Sequence, residues 1–213
     1  MSLPDFLYDG PHEAKLTIAL AHGAGAPMDS PFMQAFAEGL GENGFRVARF
    51  EFPYMAERRV TGTKKPPNRG PLLMTAWNDV IDFLGPDNLI IGGKSMGGRI
   101  ASMVTAEREL DGGGPLGLVC LGYPFHPQGK PEKLRVEHLQ NLKTPSLICQ
   151  GTRDSLGTNE EVASYPLSNA VRLHWLEDGD HGFKPRKKSG LTESGNWQSA
   201  ISAITEFTTL LVS

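Results

Sequence analysis

Apolar and polar positions along the chain alternate between two kinds of segment. Short apolar runs, several of them next to glycine or proline, predict β-strands at residues 16–21, 46–50, 89–92, 116–121, 146–150 and 171–175. The segments between and after them predict helices at residues 31–42, 72–84, 96–107, 136–142, 160–165 and 195–211. In the last of these, Ile201, Ile204 and Phe207 share one face, as in a helix that packs on a core.

The regular alternation of strand and helix predicts the α/β class. Such proteins have a mostly parallel sheet, here of about six to seven strands, with helices on both faces. A length of 213 residues suffices for one sizeable core and is short for two ordinary domains, so we expect one domain over residues 1–213.

Composition and charge exclude some function classes. Hydrophobic residues at 39% and charged residues at 21% are ordinary globular values, and a net charge of -3 gives no general reason to bind nucleic acid or an anionic membrane. No apolar run approaches the ~20 residues of a membrane span. The start, MSLPD, lacks the basic segment and apolar stretch of a signal peptide, so cytoplasmic location is the default expectation. Cys120 and Cys149 lie in predicted strands, and we interpret them as buried thiols rather than a disulfide.

The segment 93–97, GKSMG, places Ser95 between two glycines directly after an apolar run. A strand, a tight turn and a helix in this order form a nucleophile elbow, in which the serine backbone is strained and larger side chains two positions away would collide. The helix would direct free amides and its positive end at Ser95, where negative charge develops in acyl transfer. The same segment has two alternative interpretations. A phosphate-binding loop would need a glycine at the position of Asn88, and a helix start with only a structural role is the other alternative.

Two later loops supply a candidate acid and a candidate base. Asp154 follows a late predicted strand, where an orienting acid belongs, and His181 lies on a glycine-bracketed loop that can return over Ser95. The chain order nucleophile, acid, base distinguishes one hydrolase fold from two unrelated serine-protease folds. Asp178 and Asp180 are rival acids, but Asp180 is adjacent to His181 in sequence, so we prefer Asp154.

An early loop completes the predicted site. His22 leaves the first predicted strand in the sequence HGAGA. A loop at this place supplies the second amide of an oxyanion hole, the first being that of Met96. Ala24 is the preferred second donor and Gly25 the fallback. We interpret His22 as a residue that fixes the loop, because His181 is better placed to act as the base.

With these motifs the chain resembles the α/β-hydrolases over essentially its whole length, in the small type without a cap domain near dienelactone hydrolases. The segments HGAG at 22–25, FPYM at 52–55, KPP at 65–67 and GKSMGGR at 93–99, with the pair at 58–59, are similar to a poorly characterised branch. That branch includes bacterial predicted hydrolases, a testis-expressed protein and a chromatin acetyltransferase complex subunit. The resemblance implies the fold and a serine-hydrolase site, but no particular substrate.

Two basic segments are predicted near the carboxyl edge of the sheet, where open α/β sheets bind ligands. The stretch 56–71 has no periodicity and carries Arg58 and Arg59 with three further basic residues; the run 184–188 reads KPRKK. They are either a solvated charged surface or a cationic rim that attracts an anionic substrate or partner. In the second case Arg58 and Arg59 would contact the substrate.

The connection 123–143 is about twenty residues long and contains three prolines, so no full cap domain fits there. Tyr123, Phe125 and His126 are predicted to line one wall of a shallow pocket, with plain packing as the alternative for the two aromatic residues. An open site argues against a specialised lipase. Small acyl esters, lactones, thioesters and the ends of peptides remain candidate substrates.

The hypothesis from sequence is therefore two-step acyl transfer on a small acyl substrate. Ser95 attacks a carbonyl, His181 takes its proton, and Asp154 fixes the imidazole. This chemistry needs no metal or organic cofactor. The alternative is an interaction module of the same fold with a vestigial site and a protein partner, because one of the similar proteins is a complex subunit.

Overall fold

A computed structural model describes residues 3–212, within which seven strands form one sheet. The strands are β1 Phe6–Asp9, β2 Thr17–Ala21, β3 Arg46–Phe50, β4 Leu89–Lys94, β5 Gly117–Leu121, β6 Ser146–Gly151 and β7 Val171–Leu176. Their order is β1-β3-β2-β4-β5-β6-β7, and all neighbours pair in parallel except β1 with β3. The predicted mostly parallel sheet is confirmed.

Helices cover both faces of the sheet. They are α1 Pro31–Glu42, α2 Pro53–Thr61, α3 Gly70–Leu84, α4 Met96–Arg108, α5 Asn159–Val162 and α6 Glu193–Leu210. One core contains residues of α2 to α5, such as Trp77 and Ile100, and the other contains residues of α1 and α6, such as Phe36 and Ile204. No helix in the described part of the chain has the length and apolar character that crossing a membrane requires.

Three elements differ from the sequence prediction. β1 was not predicted, because its four residues are only half-buried or exposed and it is defined by antiparallel pairing with β3. α2 occupies part of the stretch predicted to be aperiodic; it is mostly polar and buries only Tyr54 and Met55. The helix predicted at 136–142 is a single 3₁₀ turn, Glu137–Leu139.

The connection from β5 to β6 contains only that 3₁₀ turn, so it holds no cap domain, as predicted. The two cysteines are free and lie in the two different cores, Cys120 on the α4 face and Cys149 on the α6 face. Burial raises the pKa of the Cys149 thiol to about 12. Both cysteines are therefore core thiols, which confirms the interpretation from sequence.

Parallel pairing fixes where the loops of interest meet. The carboxyl ends of parallel strands lie at one edge of a sheet. The loops after β2, β4, β6 and β7 leave from this edge. These four loops carry His22, Ser95, Asp154 and His181, respectively.

Candidate active site

Ser95 occupies a strained turn between β4 and α4, with φ 52° and ψ −114°. Its amide donates a hydrogen bond of 3.0 Å to the carbonyl of Leu121. A Cβ atom on Gly93 or Gly97 would lie 2.1 Å or 2.4 Å from the carbonyl oxygen of Ala21. Only glycine fits at either position, which is the steric requirement that the sequence pattern predicted.

The structure brings together the residues predicted as nucleophile, base and acid. The Oγ atom of Ser95 lies 2.9 Å from Nε2 of His181, and Nδ1 of His181 lies 2.7 Å from Oδ2 of Asp154. Asp154 is fully buried, and its carboxylate also accepts hydrogen bonds from the Gln150 side chain and the Leu156 amide. Because the carboxylate accepts at Nδ1, the imidazole carries its proton there and Nε2 is left to accept from the hydroxyl of Ser95.

The rival acids have other partners. The Oδ1 atom of Asp180 accepts hydrogen bonds from the backbone amides of Gly182, at 2.8 Å, and Lys184, at 3.0 Å. Asp178 accepts from Arg186, and this bond lowers the pKa of the Asp178 carboxyl to about 2. Both carboxylates therefore shape the loop around His181, and Asp154 is the one at its Nδ1 atom.

Lys94 is a site residue to which sequence reasoning assigned no role. Its Nζ atom donates a hydrogen bond to the backbone carbonyl of His181, and it lies 5.1 Å from the ring centroid of Phe32 and 5.3 Å from that of Phe183. A Cβ atom on Gly122 would stand 2.6 Å from this nitrogen. Burial lowers the pKa of Lys94 to about 8. The position of Lys94 directly before Ser95 was the sequence feature from which a role at the site could have been inferred.

His22 fixes the peptide group between Gly23 and Ala24 in the early loop. Its Nδ1 atom donates a 2.6 Å hydrogen bond to the carbonyl of Gly23, and its Nε2 atom accepts one of 3.2 Å from the amide of Phe52. Burial lowers the pKa of His22, which favours this neutral form. Since C=O and N–H point in opposite directions across a trans peptide, fixing the carbonyl of Gly23 also fixes the amide of Ala24.

Tyr54 fixes the next peptide group of this loop, between Ala24 and Gly25. Its hydroxyl donates a 2.9 Å hydrogen bond to the carbonyl of Ala24, which fixes the amide of Gly25 in the same way. Met96 is the first residue of α4, and its amide has no acceptor within the helix. Both Met96 and Ala24 line a cavity beside Ser95.

Two cavities open at Ser95. The first has a volume of about 520 Å³ and is walled largely by apolar residues, among them Phe32, Met33 and Trp197. The second has a volume of about 450 Å³ and extends along α4 towards the β5–β6 connection. The same two residues, Ala24 and Ser95, line both cavities, so a substrate at Ser95 has room on either side.

The prediction that Tyr123, Phe125 and His126 line a pocket wall is wrong. All three are buried, with at most 2% of their surface exposed, and neither cavity at Ser95 includes them. Tyr123 and Phe125 belong to the core on the α4 face, because their large apolar surfaces are more stable there than in water. Pro124 and Pro127, from the same segment of the chain, line the second cavity instead.

The structure does not place Arg58 and Arg59 at the two cavities beside Ser95, where the predicted contact with a substrate would need them. The guanidinium of Arg59 forms ion pairs with Glu51, at 2.7 Å, and Asp29, at 2.9 Å. Both arginines line a separate groove together with Met55 and do not line the cavities at Ser95. The local pattern could not reveal this, because the carboxylate partners come from other segments of the chain.

A central parallel strand that leads through a strained serine into a helix defines the class of α/β-hydrolase proteins. A sequence profile described as alpha/beta hydrolase domain matches residues 14–209, and the chain therefore belongs to this family.

Solved structures share the fold at low sequence identity. A dienelactone hydrolase from Anabaena variabilis is 21% identical, with a TM-score of 0.72 over 96% of this chain and 90% of that one. Est1E from Butyrivibrio proteoclasticus is 15% identical, with a TM-score of 0.70 over 97% and 93%. An alpha-beta serine hydrolase homologue from Coxiella burnetii is 17% identical, with a TM-score of 0.67 over 98% and 91%.

Proposed function

We propose that this protein is a serine hydrolase that cleaves a small ester, lactone or thioester through an acyl-enzyme. The observation that carries the proposal is the pair of hydrogen bonds from Ser95 through His181 to Asp154, of 2.9 Å and 2.7 Å. Membership of a hydrolase family supports the reaction class. The dienelactone hydrolase and Est1E, which was also solved with ferulic acid bound, share this fold and support a small acyl substrate.

In the first step, Oγ of Ser95 bonds to the carbonyl carbon while its proton passes to Nε2 of His181. The buried carboxylate of Asp154 stabilises the imidazolium that forms. His181 then gives the proton to the leaving alkoxide or thiolate, and the acyl group stays on Ser95. In the second step, a water loses a proton to His181 and its oxygen bonds to the acyl carbon; the bond to Oγ of Ser95 then breaks, His181 returns the proton to Oγ, and the acid leaves.

The negative charge of each tetrahedral intermediate would be held by backbone amides. We assign the amide of Met96 as one donor and that of Ala24 as the other, with Gly25 as the alternative. The hydrogen bonds that fix the carbonyls of Gly23 and Ala24 support this assignment, because a pre-oriented donor need not reorganise during the reaction. The positive end of the α4 helix dipole would also stabilise this negative charge. The proposed steps require no metal or organic cofactor.

A fluorophosphonate probe tests the proposal directly, because it labels only serines that a base and an oxyanion hole activate. The probe should label the wild-type protein at Ser95 and leave Ser95→Ala unlabelled. Ser102 provides a matched control: its Oγ atom lies 2.8 Å from Nε2 of His138, but the residue is buried. Ser102→Ala should be labelled like the wild type. A folded wild-type protein that takes no label would favour the interaction module with a vestigial site.

A further inference from the structure

The second cavity at Ser95 carries an unusual set of charges. Two arginines, Arg99 and Arg135, line it together with the amide side chains of Asn68 and Gln128, and among the described residues no aspartate or glutamate does. The first cavity differs, since Glu193 stands in its wall with Lys94. The second cavity is therefore cationic beside the proposed nucleophile.

Neither guanidinium has a partner among the residues that the structure describes. Within residues 3–212, no hydrogen bond or ion pair joins the side chain of Arg99 or Arg135 to another residue, and Nε of Arg99 is buried without an acceptor. Other arginines of this chain, such as Arg49 and Arg59, form ion pairs with carboxylates. An unsatisfied buried N–H group on a charged side chain is costly, so an acceptor on a bound molecule would stabilise Arg99.

The titratable groups beside the two arginines, within the described residues, add no negative charge at pH 7. The pKa of Arg135 is lowered by burial and by the positive charge of Arg99. Burial, with a further contribution from Arg99, lowers the pKa of His138 to about 4, so this imidazole is neutral at pH 7. The Tyr123 hydroxyl, whose pKa is raised mainly by burial, is neutral as well. The two cations therefore repel each other across the cavity without an anion between them.

The backbone at both arginines is held in place. Arg99 lies one helical turn after Ser95 on α4, and its amide donates a 3.0 Å hydrogen bond to the carbonyl of Ser95. The amide of Arg135 donates to the carbonyl of Phe125 at 2.8 Å, and its carbonyl accepts from the Tyr123 hydroxyl at 2.9 Å. The arginine pair is thus anchored to the same helix as the nucleophile and to the buried first part of the β5–β6 connection.

We propose that Arg99 and Arg135 bind an oxyanion group of the substrate, a carboxylate or a phosphate, so that the hydrolase acts on acidic esters. Guanidinium groups bind such planar or tetrahedral oxyanions through paired hydrogen bonds. The proposal rests on the proposed function of Ser95, and it places anion recognition inside the cavity rather than at the exposed basic segments. This cavity is also lined by Ala24, Ser95 and Met96. A single small substrate could therefore place its anionic group at the arginines and its reacting carbonyl at Ser95.

Three acetyl esters that differ in one group test the proposal by steady-state kinetics. They are 4-acetoxybenzoate, 4-acetoxyphenyl phosphate and the neutral 4-acetoxybenzamide. Arg99→Gln and Arg135→Gln should each lower the preference for an acidic ester over the amide, measured as the ratio of kcat/KM values, by roughly 10- to 100-fold. The loss should appear mainly in KM. The preferred acidic ester in the wild type identifies carboxylate or phosphate as the group bound.

Arg172→Gln is the matched control, because Arg172 is exposed near the start of β7 and lines a groove away from Ser95. This variant loses the same charge and should keep the wild-type ratio. Circular dichroism should establish that each variant is folded, and Arg99→Lys, which keeps the charge without the paired donors, should show an intermediate ratio. An unchanged ratio in both glutamine variants would overturn the proposal and leave the hydrolase assignment intact.

A binding measurement separates this proposal from the function of Ser95. Ser95→Ala should bind 4-hydroxybenzoate or inorganic phosphate in calorimetric titration, and adding Arg99→Gln should weaken that binding roughly 10- to 100-fold. Binding with this dependence, together with a folded wild-type protein that the fluorophosphonate does not label, would support the anion site while rejecting the hydrolase. No binding of either anion, together with an unchanged ester ratio, would reject the anion site alone.

Discussion

The ammonium group of Lys94 donates a hydrogen bond to the backbone carbonyl of His181. This bond joins the last residue of β4, directly before Ser95, to the loop that carries the proposed base. The rings of Phe32 and Phe183 lie beside the ammonium. We therefore expect the separation of Ser95 and His181 to depend on this half-buried cation as well as on their direct hydrogen bond.

Replacing Gly122 by alanine should disrupt this contact. The new Cβ atom would lie 2.6 Å from Nζ of Lys94 and 2.9 Å from the carbonyl oxygen of His181, so both groups must move. We expect ester hydrolysis to fall by about tenfold or more, because a misplacement near 1 Å is enough for losses of that order.

Gly129→Ala is the control for Gly122→Ala. Gly129 has nearly the same φ, 69° against 67°, but nothing lies within 4 Å of its Cβ position. It should lose roughly 1–2 kcal/mol of stability through backbone strain, with hydrolysis unchanged. Equal losses of activity in the two variants would show that Lys94 does not position His181.

The stability of the protein should depend on the protonation of Lys94. Burial lowers its folded-state pKa to about 8 from 10.5, so between these pH values the unfolded chain binds more protons than the folded one. The free energy of unfolding of the wild type should therefore rise with pH relative to Lys94→Met, by up to roughly 1.4 kcal/mol per pH unit. Urea unfolding from pH 7 to 10.5 measures this difference. A constant difference would contradict the burial of the ammonium.

Asp154→Asn should reduce kcat by about 10³- to 10⁴-fold, because an amide no longer stabilises the required imidazole tautomer and its charged form. His181→Ala should lose at least as much. Asp180→Asn should cost far less, since the carboxylate of Asp180 accepts from the amides of Gly182 and Lys184 and not from His181. Hydrolysis of p-nitrophenyl acetate measures all three. A larger loss from Asp180→Asn would identify Asp180 as the acid.

Tyr54→Phe should lower kcat with little change in KM. The variant leaves the carbonyl of Ala24 without the 2.9 Å hydrogen bond that fixes the early loop, and a displaced amide stabilises the oxyanion less. We expect a loss of about tenfold, smaller than for removing a donor itself. Tyr165→Phe, which removes a hydroxyl elsewhere, is the control. A wild-type kcat in Tyr54→Phe would show that the loop holds its amides without Tyr54.

The β4–α4 turn could be predicted because its requirements are local. The turn needs glycines two positions either side of Ser95, so a pattern of five consecutive residues indicates it. The alternation of strands and helices in turn indicates the sheet. The acid and base were predicted from the order of strand-end loops. Whether their side chains meet depends on the register of β4, β6 and β7, which the sequence does not display.

The sequence by itself determined the fold class, the strained serine and the candidates for acid and base, because each is encoded by neighbouring residues or by the order of elements. The tertiary structure decided which basic residues are paired. Arg59 meets Glu51 and Asp29, which come from other segments, whereas Arg99 and Arg135 converge from α4 and a distant loop without a carboxylate. Charge on a side chain is visible in the sequence, but its neutralisation depends on contacts between residues far apart along the chain.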